Sequence, residues 1–324
     1  MKSIACLVID FNSAADAEKL TLQLARGNNA GLQVGVFHVD NGSDTKAELS
    51  SEQRAAGVKL IRNDINRGYA GGIRTAIEKI RAGFGPSAGN NSDQVVGTEY
   101  DGYWILNCDL EVESDALAKL AAAFLKNPRV AAAGPRVMKG RTSKIWGERG
   151  VVSPVLGLTA MTEWPTGGVL PRWSYIPGSS ILVRTKAYDE VGGIPDRYRL
   201  YYEETELCVQ FQKRGWDLWV EPAAVVYHAV QSMKSRVPAR HYAFYFARNN
   251  LYFWKNNFGI PWIVQLPRTM FVIFKELVVP LRRSDSFGMF FDRLKFTAMG
   301  FADGFFFLYT RYTFFEKKYF NVTP

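Results

Sequence analysis

Three groups of residues have types and spacing suited to chemistry. Asn107-Cys108-Asp109 closes the apolar run Tyr103–Leu106, so a strand there would deliver a carboxylate into solvent at its end. A hard divalent cation such as Mg²⁺ or Mn²⁺ takes oxygen ligands, commonly one or two carboxylates plus substrate phosphates. Asp109 suits that role toward a diphosphate. Glu111 and Glu113 read either as groups behind it or as the solvated approach to the next helix. The second group, Tyr201-Tyr202-Glu203-Glu204-Thr205-Glu206-Leu207, sets three acids within four residues. The helix dipole alone accounts for Glu206. Glu203 and Glu204 follow two aromatics and precede an apolar helix, and crowded carboxyls beside such walls gain the raised pKa of a general base. The third is His228, which ends Val225-Val226-Tyr227. Neutral imidazole is a frequent metal ligand, although a lone histidine is more often structural. His38 and His241 take that plainer reading.

These groups need a scaffold, and the first 135 residues supply the pattern of one. Short apolar runs alternate with helical periodicity, as β-α-β units on a parallel sheet require. Strands are expected at Ile4–Ile9, Val34–Val39, Val58–Arg62, Tyr103–Leu106 and Val130–Gly134. Helices are expected at Ala15–Arg26, Gly72–Ala82 and Asp115–Lys126, with a surface insertion over Gly83–Thr98. In such sheets ligands bind at the carboxyl ends of the strands. Those ends read Asn12, then Asp40-Asn41-Gly42-Ser43, then Asn63–Gly72, then Asn107-Cys108-Asp109. One polar end is ordinary turn chemistry; four on one edge make a cleft the better reading. Asn66-Arg67-Gly68-Tyr69-Ala70-Gly71-Gly72 lacks the spacing of a dinucleotide fingerprint and follows the third strand rather than the first. Its glycines still allow close backbone approach to a ligand. Residues 138–173 read as loop-rich and mobile. Beyond them come a strand at Ser179–Arg184, a helix at Glu203–Arg214, and short strands at Trp219–Glu221 and Val225–Tyr227.

Composition bounds the rest. The 324 residues are 47% hydrophobic and 22% charged, a globular balance. Three widely spaced cysteines make neither a disulfide framework nor a zinc pattern, which suits a reducing compartment. The N-terminus reads as a first strand and not as a cleavable signal. Residues 1–230 carry 26 basic against 26 acidic side chains, whereas 231–324 carry 14 against 5 and hold 25 of the 45 aromatics. A neutral body with a basic, aromatic tail suggests that the tail meets an anionic surface. Lys255, Arg268, Lys275, Glu276 and Asp303 break its apolar stretches below the ~18 residues of a spanning helix. Arg282, Arg283, Arg293, Lys295, Arg311, Lys317 and Lys318 interleave with Phe287, Phe290, Phe291, Phe305–Phe307, Phe314 and Phe315, a pattern for helices lying on anionic lipid. The competing reading is an aromatic helical core.

With these pieces in order, the chain resembles the inverting glycosyltransferase family 2, and within it the rhamnosyltransferase-like members. The resemblance covers roughly residues 1–235. It rests on Val8–Asn12, Val39–Ser43, Asn66–Gly72, Leu106–Asp109, Gly178-Ser179-Ser180, Tyr202–Leu207 and His228. It implies an α/β chain of GT-A fold, a Rossmann-like, mainly parallel sheet flanked by helices, followed by the aromatic, basic helical extension. Two domains are then expected. A catalytic domain spans 1–235, binding the nucleotide sugar through residues 1–135 and the acceptor through 136–235, and a helical region spans 236–324. The resemblance also implies a nucleoside-diphosphate sugar donor and Mg²⁺ or Mn²⁺. Asp40 would contact the base or ribose. Asn12, Asn41, Asn66, Gly68, Gly71, Gly72 and Asn107 would line the donor pocket. Asp109 would hold the metal against the diphosphate with His228 as a further ligand. Glu204 stands at the position of the catalytic base, beside Glu203. Departures are Glu204 and Glu206 in place of aspartates, Cys108 in place of a frequent proline, and Arg74 in place of a frequent asparagine, which could mark a different phosphate contact. The implied activity is sugar transfer, with rhamnose as the sugar, to a cell-surface glycan or lipid-linked acceptor at the inner face of the cytoplasmic membrane. Tyr201, Tyr202 and Trp173 are candidate walls for the sugars. Two rivals stand beside it. A sugar nucleotidyltransferase would need a glycine-rich basic loop after the first strand, and Asn12–Ala15 offers none. A nucleic-acid-binding protein would leave the carboxylate-rich strand ends unexplained, so no nucleic-acid partner is expected.

Overall fold

The computed structural model describes residues 1–83, 99–155, 158–162, 167–229, 239–261, 263–267, 270, 287–310 and 315. Its strands are β1 Ser3–Asp10, β2 Gln33–Asp40, β3 Lys59–Arg62, β4 Gly102–Asn107, β5 Leu110–Val112, β6 Val130–Lys139, β7 Ile145–Gly147, β8 Arg149–Ser153, β9 Leu158–Thr162, β10 Gly168–Val169, β11 Ser174–Tyr175, β12 Ser180–Arg184 and β13 Asp217–His228. Its helices are α1 Ala14–Ala25, α2 Ser51–Ala55, α3 Gly68–Arg81, α4 Ala116–Lys126, α5 Thr185–Glu190, α6 Glu203–Lys213, α7 Ala239–Phe258 and α8 Phe287–Thr310.

Among the described residues, one sheet runs β10-β13-β6-β12-β4-β1-β2-β3, with β5 on β13 and β7 on β6. β4, β1, β2 and β3 are mutually parallel. β1 is buried on both faces from Ile4 to Asp10, as the centre of a helix-covered sheet must be. Ile4, Cys6 and Val8 join a core with Leu20 and Leu24 of α1 and Leu117, Leu120 and Phe124 of α4, the latter repeating at helical intervals. β6 does not simply extend the parallel series. β12 lies between it and β4, antiparallel to both, through Leu182↔Ala133 and Leu182↔Trp104. The Trp104 indole N–H donates to Ser180 Oγ at 3.0 Å, satisfying a buried donor across that seam.

Four boundaries differ from the sequence reading. α3 begins at Gly68 rather than Gly72, because the glycines form its first turn against Asn41 and Arg199 instead of a preceding loop. The two short strands near His228 are one, interrupted by an irregularity between Glu221 and Val225, where Pro222 cannot donate to a ladder. Residues 138–173, expected as mobile loop, carry short strands: β7 returns along β6, and β11 pairs with β8 through Ser174↔Val151. The short helices α2 and α5 have too few turns to show a period; Ser50 and Gln53 close α2 with a capping box. Most of the expected insertion lies outside the described residues.

The chain divides into two compact units. The first comprises Met1–Val151, Ala160–Arg199 and Glu203–Val230; the second comprises Val152–Thr159, Leu200–Tyr202 and Gln231–Pro324. In the second unit α7 and α8 approach closely. A Cβ on Gly300 would fall 2.2 Å from the Phe244 carbonyl oxygen, and one on Gly304 3.0 Å from that of Arg248. No helix among the described residues is long and apolar enough to cross a membrane. Arg282, Arg283, Arg311, Phe314, Lys317 and Lys318 of the expected lipid-facing set lie outside the described residues.

Candidate active site

The C-terminal ends of β1, β2, β3 and β4 lie side by side, since Asp10 pairs with Asp40, Asp40 with Arg62, and Ile9 with Asn107. The loop after β2 is built around Asp40. Its carboxylate accepts from the Ser43 amide at 2.8 Å, from the Ala47 amide at 3.0 Å, and from Arg62. Burial works to raise its pKa, but those amides and the Arg62 charge hold it net below the ordinary value. Asn12, in left-handed conformation at φ 56°, donates its amide to Ser43 Oγ and exchanges side-chain bonds with Asp44. Asn41 joins the second loop to the third: it donates to the Gly68 carbonyl at 2.9 Å and accepts from Asn63 Nδ2 at 3.0 Å. Asn66 accepts the Gly68 amide at 2.8 Å, turning the chain into α3. Gly72 packs on the Asn41 amide, where a Cβ would sit 2.9 Å from its Cγ; one on Gly71 would sit 2.8 Å from Arg67 Cβ. Asn12, Asp40, Asn41, Asn66, Gly68, Gly71 and Gly72 thus form one continuous edge.

Asn107 ends β4, its amide donating to the Ser179 carbonyl at 2.9 Å. Asp109 follows, and His228 at the end of β13 brings Nε2 to 3.8 Å from its Oδ1. β5 sets this pairing, with His228 opposite Leu110. Both imidazole nitrogens are buried and lack hydrogen-bond partners among the described residues. Burial lowers the imidazole pKa against the pull of Asp109, favouring the neutral ring. Trp146 stacks on it at 4.6 Å and 4°. A buried neutral imidazole with unused nitrogens beside a carboxylate fits a divalent cation. No group of three or more His, Cys, Asp or Glu among the described residues could hold one, so the remaining ligands would come from substrate oxygens or water. Glu111 and Glu113 are engaged elsewhere: Glu111 pairs with Lys19 and Arg141, and Glu113 accepts the Tyr227 hydroxyl at 2.6 Å.

Glu203 and Glu204 open α6. Burial raises both carboxyls, that of Glu203 further through the Glu204 charge; the Glu204, Thr205 and Gly178 amides partly counter the rise at Glu204. Glu203 Oε2 is buried without a partner among the described residues. Glu206 is bound by Arg197 and Tyr198, so it is a buried structural acid. Arg74 is engaged by the chain itself, donating to the carbonyls of Gly192 and Ile194 at 3.3 and 3.5 Å. Tyr202 is not a sugar wall: its ring is buried among Phe246 and Phe253, and its hydroxyl accepts from Asn250 at 2.8 Å.

Tyr69 links these pieces, though its aromatic type within a glycine-rich turn gave no separate signal. Its phenol donates to the Gly178 carbonyl at 2.8 Å. Burial raises that phenol well above the ordinary value, and the charges of Glu203, Glu204, Cys108 and Asp109 add to the rise. The acids at the α6 start and the acid after β4 therefore all act electrostatically on one phenol. Trp146 gives no signal in the sequence either, because a single tryptophan in an irregular stretch carries no periodicity.

No protein-family model matches the chain. In sequence it is 29% identical over 227 residues to an N-acetylglucosaminyl-diphospho-decaprenol L-rhamnosyltransferase of Mycobacterium tuberculosis, covering 65% of this chain and 71% of the relative. The same enzyme from a second strain of that organism matches equally. In structure it superposes on GalNAc-T7, solved with UDP, GalNAc and Mn²⁺, with a TM-score of 0.51 and 14% identity. That match covers 70% of this chain and 44% of the other, so the chain spans less than half the length of that neighbour. The fold is GT-A, a mixed sheet with a mostly parallel centre flanked by helices.

Proposed function

We propose, for a chain of GT-A fold that resembles the rhamnosyltransferase-like members of glycosyltransferase family 2, that it transfers L-rhamnose from a nucleoside-diphosphate sugar to a polyprenyl-diphosphate-linked acceptor, with inversion. The observation that carries this reading is the buried His228 imidazole, without a hydrogen-bond partner among the described residues and 3.8 Å from Asp109 at the end of the sheet. The sequence relative's acceptor is a lipid-linked N-acetylglucosaminyl diphosphate, which supports the acceptor class.

In this reading the loops around Asn12, Asp40, Asn41 and Asn66 cradle the nucleoside, and Gly68, Gly71 and Gly72 let those loops pack closely against one another. Asn107 borders the diphosphate. Asp109 and His228 would hold Mg²⁺ or Mn²⁺, which when bound neutralises charge on the departing diphosphate. Glu204 accepts the proton of the acceptor hydroxyl as that oxygen attacks the anomeric carbon. Its raised pKa makes it a stronger base than an ordinary carboxylate. Burial keeps that pKa high against the neighbouring backbone amides. A wholly non-enzymatic role leaves this arrangement of acids unexplained.

Residues 236–324 are read as a peripheral membrane contact that brings the enzyme to its lipid-linked acceptor. The second unit exposes Ile263, Val264, Met270, Phe291, Leu294 and Phe306, beside the excess of basic residues in 231–324. The decisive test presents purified protein with dTDP-rhamnose, UDP-sugars and GDP-sugars, each with Mn²⁺, Mg²⁺ or chelator, and measures nucleoside-diphosphate release with a prenyl-diphosphate-GlcNAc acceptor. Release from one donor, lost on chelation, is expected. Release of pyrophosphate instead, or full activity in chelator, defeats the reading.

A further inference from the structure

We infer that Tyr69 is a positioning residue that keeps the Glu204 carboxyl in register with the donor loop; this rests on Glu204 being the base. Tyr69 is the second residue of α3, inside the Asn66–Gly72 segment. Two hydrogen bonds, each 2.8 Å, leave it in different directions: its amide donates to the Arg199 carbonyl, and its phenol to the Gly178 carbonyl. Gly178 in turn meets Glu204. A Cβ at that position would lie 3.2 Å from Glu204 Cγ and 3.3 Å from Cδ, and the Gly178 amide lowers the pKa of the carboxyl it packs against. The next residue, Ser179, accepts the Asn107 amide at 2.9 Å, two positions before Asp109.

The Gly178-Ser179 segment is therefore held from two sides, by the phenol of Tyr69 and by the end of β4, while Glu204 rests on it. Packing alone would be satisfied by phenylalanine. The hydroxyl adds one thing, the donor that the half-buried Gly178 carbonyl takes. Removing it leaves that carbonyl unpaired and frees Gly178 to move, and Glu204 moves with it. Because proton transfer depends on sub-ångström placement, the effect falls on turnover rather than on donor binding.

The test compares Tyr69→Phe, Gly178→Ala and Glu204→Gln in one transfer assay, using the donor that supports release above. A misplacement of about 1 Å costs on the order of 10²-fold, so a shift of about half that predicts roughly a tenfold loss of kcat in Tyr69→Phe. Donor KM stays within about twofold, because ground-state binding is untouched. The acid limb of the kcat–pH profile moves to higher pH, because the Gly178 amide that lowers the Glu204 pKa shifts away. Gly178→Ala perturbs the same path without touching Tyr69, and the double variant loses less than the product of the single losses. Wild-type kcat and pH limb in Tyr69→Phe, with Glu204→Gln inactive, overturn the positioning role alone. A raised donor KM at unchanged kcat also overturns it, making Tyr69 a donor contact. Full transfer by Glu204→Gln overturns both this inference and the base assignment. If Tyr69→Phe does not fold, Gly178→Ala decides: an unshifted limb and unchanged kcat there refute the path.

Discussion

Gly68 and Gly57 share the same left-handed backbone, φ +74°, but differ in surroundings, so alanine at each isolates the effect of contact. At Gly57 a Cβ would meet nothing within 4 Å. The left-handed conformation costs an L-residue about 1–2 kcal/mol, and the stiffer unfolded chain returns about 0.4–1 kcal/mol. Gly57→Ala should thus lose about 1 kcal/mol. At Gly68 a Cβ would lie 2.5 Å from both Cγ and the carbonyl oxygen of Arg199, and 2.8 Å from its Cα. Backbone must yield there, adding about 1–3 kcal/mol for overpacking. The Tyr69 amide bond to that carbonyl would be strained as well, worth about 1 kcal/mol. Gly68→Ala should therefore be less stable than Gly57→Ala by about 3 kcal/mol, a large part of a typical 5–15 kcal/mol. In urea, with a slope of roughly 3 kcal/mol/M, the midpoint should fall by about 1 M relative to Gly57→Ala when followed by far-UV circular dichroism. Equal midpoints for the two variants would falsify the close approach of the donor loop to Arg199.

Two further outcomes are expected. Burial and the Glu204 charge raise the Glu203 pKa well above the usual range, so the native state holds that proton to higher pH than the unfolded chain. Its contribution is complete below the unfolded value of about 4.3 and is lost as pH rises through the native one. Glu203→Gln should consequently unfold at a higher temperature than wild type at pH 8 and show no advantage at pH 4; identical melting curves at both would refute the buried carboxyl of raised pKa. For the second unit, the basic and aromatic tail should carry the protein into the floating fraction with anionic vesicles, less so at high salt. Protein remaining in the pellet with phosphatidylglycerol vesicles at low salt counts against membrane contact.

The strand ends were legible because each couples an apolar run to a polar stop, a local signal that survives without neighbours. Asp40, Asn41, Asn107 and Asp109 follow that rule, whereas the raised pKa expected for Glu203 and Glu204 comes first from burial, with the like charge adding only at Glu203. Helix α4 was readable from the repeat of Leu117, Leu120, Ala121 and Phe124. Short elements were not, since α2 has five residues and β11 two, too few for a period.

What the chain order could not contain is proximity across the sheet. β12 enters between β4 and β6, and this crossover brings Gly178 to Tyr69, 109 residues earlier. His228 reaches Asp109 only because β5 and β13 pair. Residue types and local periodicity determined which groups were able to do chemistry and which runs would be strands. Pairing between distant strands decided which of them meet, because burial and hydrogen bonding across a sheet are properties of neighbours in space, not in sequence.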